Sequence, residues 1–106
     1  MTRKEILGTA AAIVTQDREE QYGKPEDNFE TIGLLWAVYL RSAHPKLRQV
    51  MAINGITPQD VAIMMSLLKI ARIATGQPKA DNFVDLAGYA ACAGEIAMGG
   101  AEDAAD

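Results

Sequence analysis

Apolar positions recur with a helical period in four stretches of this chain, and residues that start or stop helices separate them. Thr2 followed by Glu5 has the spacing of a capping box, after which Ile6, Leu7, Ala10, Ala11, Ile13 and Val14 repeat as helix neighbours. A first helix is predicted to about Glu20. "QYGKPEDN" interrupts it, because Gly23 suits a left-handed turn and Pro25 the first turn of a new helix. The second helix, from about Pro25 to Ser42, carries Phe29, Ile32, Leu35, Trp36, Tyr39 and Leu40 as its expected buried stripe. "AHPKLRQVMAINGI" reads as a connection, with Pro45 and Asn54-Gly55 as turn signals and room for a short helical turn.

"ITPQDVAIMMSLLKIARIATG" is the clearest helix, since Thr57 can cap it, Pro58 takes the first helical position and Asp60 falls at the third. Gly76 and Pro78 end it. The fourth helix, "ADNFVDLAGYAACAGEIA", follows after so short a link that helices three and four are expected to form an antiparallel hairpin. No alternating strand pattern competes, so the predicted fold is an all-α, four-helix bundle. Residues 1–98 form its single domain, and residues 99–106, small and acidic, are expected to be a flexible tail.

The chain has 106 residues, a length that buries little of its own surface. "VAIMMSLL" is apolar nearly all round and "AGYAACAG" permits close helix approach, so a homodimer or homotetramer is expected to complete the core. The net charge of -4 gives no general attraction to nucleic acid or anionic membrane. No stretch has the length and apolarity of a membrane span. The single cysteine, Cys92, lies among alanines and a glycine and fits as a packing residue, which suits a reducing, cytoplasmic setting.

Candidate chemistry lies in the polar residues set against this background. Asp81 and Asp85 share a helix face at the start of helix four, either as acids favoured by the helix dipole or as ligands for a divalent cation. Lys69 and Arg72, one turn apart on helix three, can converge on one anion or pair with those aspartates across the hairpin. A second cluster, "QDREEQYGKPEDNFE", pairs Asp17 with Glu20 and Asp27 with Glu30 by spacing, with Arg18 and Lys24 adding cations. The tripeptide "DNF" occurs at 27–29 and at 81–83, each time opening a helix. Other chemistries find little support. His44 is the only histidine and precedes a proline, no GxxxxGK[ST] loop exists, and neither Ser42 nor Ser66 sits in a nucleophile elbow.

Taken together, "DREEQYGKPEDNF", "DVAIMMSLLKIAR" and "DNFVDLAGYA" resemble a phage- and prophage-associated domain family of uncharacterised function, over roughly residues 4–97. That family in turn looks like a small member of the MazG-like all-α nucleotide pyrophosphohydrolases. The resemblance implies an oligomeric enzyme that splits a nucleoside triphosphate into monophosphate and pyrophosphate, with magnesium as cofactor and manganese as its alternative. MazG-like proteins hold their metal with an ExxE pair on one helix and an ExxD pair on the next. Asn82 and Asp85 match the second pair, with Asp81 beside them, whereas Asp17 with Glu20, or Asp27 with Glu30, keeps only the spacing of the first. On this resemblance Glu20, Glu30, Asp81 and Asp85 would hold metal, and Glu20, Asp85 and Lys69 would carry catalysis. Arg18, Tyr22, Lys24, Asn28, Lys69 and Arg72 would bind substrate, with Trp36 a further candidate to contact base or sugar. The alternative, from another class, is a non-catalytic phage-type helical protein that binds a nucleotide or a protein partner through the same surfaces.

Overall fold

The computed structural model describes residues 1–17, 20–21, 23–48 and 55–99. Among them are four α-helices and no strand: α1 (Arg3–Ala12), α2 (Pro25–Ala43), α3 (Pro58–Thr75) and α4 (Ala80–Ala97). Each start follows its local chemistry. The Thr2 hydroxyl accepts from the Glu5 amide at 3.1 Å, and the Glu5 carboxylate reaches back to the Thr2 amide, satisfying two of the donors that a helix start leaves without partners. Thr57 and Asp60 make the same reciprocal pair on α3, with Pro58 in the first turn. Gly23 is left-handed at φ 79°, and Pro25 then opens α2. The expected short turn in the connection is a 3-10 turn at Pro45–Leu47. Asn54 and most of the proposed acidic tail, residues 100–106, lie outside the described residues.

α3 packs most extensively on α4, to which residues 76–79 join it, while α2 packs on α3 and α1 on α4. The core forms where these contacts meet. Phe29, Val61, Ala62, Cys92 and Ala93 are buried together, flanked by Val14, Ile32, Trp36, Ile56, Met65, Tyr89 and Ile96. Cys92 is thus a packing residue, as its neighbours in sequence implied.

The stripe expected on α2 needs correction. Leu35 and Tyr39 are 64% and 65% exposed, and the buried line is Phe29, Gly33 and Ala37. Space decides the difference: a Cβ at Gly33 would overlap the Ile56 carbonyl oxygen, so α2 approaches the residues before α3 only along a small-residue face. Bulky Leu35 and Tyr39 therefore turn outward. On α1 the same preference buries Ala10 and leaves Leu7 63% exposed.

Candidate functional site

α1 does not continue as a regular helix. Ile13–Asp17 widen into a π-helical segment in which the Thr15 hydroxyl donates to the Ala11 carbonyl at 2.6 Å. This wider turn brings Ile13 and Val14 to α4, where Gly88 leaves room for Val14: a Cβ there would stand 3.0 Å from Val14 Cγ1. Beside that contact opens a cavity of about 220 Å³ between the end of α1, the start of α2 and the middle of α4.

Its wall is mainly hydrocarbon and aromatic. Phe29 from α2 and Tyr89 from α4 tilt toward each other, with ring centroids 6.2 Å apart and planes at 40°. Among the described residues, the polar side chains of Asn28, from the first turns of α2, and Asp85, from α4, also line it. Asp85 is held from behind: Lys69 Nζ on α3 lies 2.8 Å from its Oδ2, and Lys69 itself is only 8% exposed. A lysine placed so deep in an apolar helix needs a partner, because an isolated buried ammonium is strongly disfavoured. Asp85 therefore ties α3 to α4 and lines the cavity.

This resolves one alternative left open by the spacing. Lys69 does pair with Asp85, whereas Arg72, at the last turn of α3, and Asp81, at the first turn of α4, are exposed. Glu20 and Glu30 are exposed as well. Lys24 precedes α2 and lines a second, more polar cavity of about 300 Å³ with Glu26 and Glu95. Arg18 and Tyr22 lie outside the described residues. Among the described residues, no group of three or more His, Cys, Asp and Glu side chains is placed to hold a metal ion. Glu20, Glu30, Asp81 and Asp85 are thus not gathered into one such group, and Asp85 already engages an ammonium.

The two "DNF" copies open α2 and α4 as the sequence suggested, but their side chains part company. Phe29 is buried and Phe83 is 43% exposed. Of the residues named for contact with base or sugar, Asn28 lines the apolar cavity, while Trp36 packs against the core. Tyr89 was missed. The signal for it was its spacing, since Asp85, Gly88 and Tyr89 fall on one face of α4.

Comparison with known proteins places the chain in a phage context. A family model described as "Domain of unknown function (DUF6378)" matches residues 5–97. The Gene 55 protein of Mycobacterium phage L5 is 41% identical over 85 residues, covering 80% of this chain and 47% of that protein. The Gene 55 protein of Mycobacterium phage D29 is 36% identical over 91 residues, covering 86% of this chain and 52% of that protein. The chain thus spans about half the length of these curated relatives. No solved structure matches it.

Proposed function

Because the chain belongs to the DUF6378 family, a phage-associated domain family whose function its name leaves open, we propose a role from the chemistry of the cavity: it is a helical binding protein for the heterocycle of a nucleoside or nucleotide. One observation carries this reading. An aspartate clamped by a buried lysine lines a mainly apolar cavity, alongside an asparagine and a pair of aromatic rings. A flat ring with N–H donors suits that lining, since Asp85 Oδ1 can accept, Asn28 can accept and donate, and Tyr89 offers a π-face. Size points the same way. About 220 Å³ is below the roughly 300–1,000 Å³ of pockets that enclose drug-sized ligands, which suits one ring system with any phosphates outside it.

A second reading keeps the MazG-like pyrophosphohydrolase, with α3 and α4 as an antiparallel hairpin. What favours it is that Asn82 and Asp85 open α4 at the ExxD spacing and Asp85 lines the cavity. Its magnesium would have to arrive with the nucleotide.

The two readings differ in one titration. Thermal shift and calorimetry with each common nucleoside and its triphosphate, with and without magnesium, should show stabilisation by at least one nucleoside in metal-free buffer. A ligand at a hundred times its Kd adds about 2.7 kcal/mol, which is easily seen. Asn28→Ala should weaken that binding about tenfold, the scale of one lost hydrogen bond of about 1.4 kcal/mol. Stabilisation only by a triphosphate with magnesium would favour the enzyme, and no response to any of these ligands would refute both readings.

A further inference from the structure

We propose that the second, polar cavity holds the sugar of the ligand whose heterocycle occupies the first, and that this ligand is a ribonucleoside without phosphate. The inference rests on the heterocycle reading above and adds to it the sugar and the charge of the ligand. Pro25 and Cys92 line both cavities, so the two adjoin between the start of α2 and the second half of α4. Along α4, Tyr89 of the first cavity, the shared Cys92 and Glu95 of the second follow one another at spacings of three. Roughly 9 Å of helix therefore separates the aromatic ring from the carboxylate, which is the reach of one base with its sugar attached.

The chemistry of the polar cavity suits hydroxyl groups. Lys24 and Glu26 stand at the start of α2, whose N-cap residue makes no side-chain cap, so the amides of the first turn can donate there. Glu95 and Gly99 stand at the end of α4, where the last carbonyls of a helix can accept. A hydroxyl group both donates and accepts, and the vicinal diol of a ribose does so twice. Glu26 and Glu95 accept from the sugar O–H groups, and Lys24 donates to a sugar oxygen.

A phosphate is the rival occupant, because Lys24 and the amide end of α2 would attract it. Against it stand the carboxylates of Glu26 and Glu95 and the carbonyl end of α4, all of which repel an anion. Two carboxylates and one ammonium leave this lining net negative. The uncharged sugar is favoured.

Isothermal titration in metal-free buffer tests this on the parent chain, with adenosine, guanosine, cytidine and uridine, their 2′-deoxy forms, their 5′-monophosphates and the free bases. The ribonucleoside that binds best should bind about tenfold tighter than its 2′-deoxy form, the scale of one hydrogen bond to a charged group, and tighter than its 5′-monophosphate. Replacing both exposed carboxylates, Glu26→Ala with Glu95→Ala, should bring the ratio of ribose to deoxyribose affinity within about twofold and leave affinity for the free base unchanged. Equal affinity of the parent for the two sugars, or a 5′-monophosphate that binds best, would overturn the sugar site and leave the heterocycle reading standing. An unchanged ratio in the double variant would overturn it as well, and should that variant lose its helical circular dichroism, the two single variants are held to the same criterion. Absence of binding by every base, nucleoside and monophosphate would refute the heterocycle reading and this inference with it.

Discussion

Gly33→Ala will weaken the fold by about 2 kcal/mol, although alanine is the better helix former by about 1 kcal/mol. Gly33 is buried in α2, and an added Cβ would overlap the Ile56 carbonyl oxygen while coming 3.4 Å from Val61 Cγ2. The first obstacle is main chain, so it cannot swing aside as a flexible side chain would. Overpacking of this kind typically costs about 1–3 kcal/mol and sometimes more, which outweighs the gain in helix propensity. Gly94 supplies the contrast. It also lies inside a helix, α4, but nothing stands within 4 Å of its added Cβ, so Gly94→Ala should stabilise by up to about 1 kcal/mol. Urea unfolding of both variants at one fixed protein concentration measures the difference. If Gly33→Ala raised the midpoint as Gly94→Ala is expected to, the close contact between α2 and Ile56 would not exist in solution.

That contact also marks where sequence reading stops. The starts of α1 and α3 were legible because capping boxes and an early proline act over three or four residues, and those residues are neighbours in the chain. The inward line of α2 was not. Periodicity names the candidates for burial, but which of them turn inward depends on how near the next element comes, and Ile56 is far from Gly33 in sequence. Leu35 and Tyr39 were the natural choice by hydrophobicity and lost to Gly33 and Ala37 by size.

The candidate site divides in the same way. Lys69 and Asp85 could be paired on paper because both lie on helices joined by residues 76–79. The cavity beside them was hidden, since it depends on the π-helical widening at Ile13–Asp17 and on the missing side chain at Gly88, neither of which periodicity reports. Among the predicted polar residues that the structure describes, only Asn28 and Asp85 line that cavity's wall.

The ion pair itself yields the other large effect. Asp85→Ala should destabilise by about 2–3 kcal/mol, because it leaves the Lys69 ammonium, 8% exposed, without its carboxylate. Lys69→Met should cost less, about 1–2 kcal/mol, since methionine fills much of the same space and the remaining carboxylate, 25% exposed, keeps some contact with water. The double variant should lose less than the sum of the two, by about 1–2 kcal/mol, the range expected for groups in direct contact. Simple additivity would mean that the 2.8 Å contact contributes nothing in solution. The same three proteins separate a strut from a ligand group. Lys69→Met leaves a carboxylate lining the cavity and Asp85→Ala removes it, so nucleoside binding should survive the first substitution and disappear in the second, measured well below either variant's unfolding midpoint. Equal loss in both would mean that binding tracks the α3–α4 tie, and equal retention would mean that the ligand does not touch Asp85.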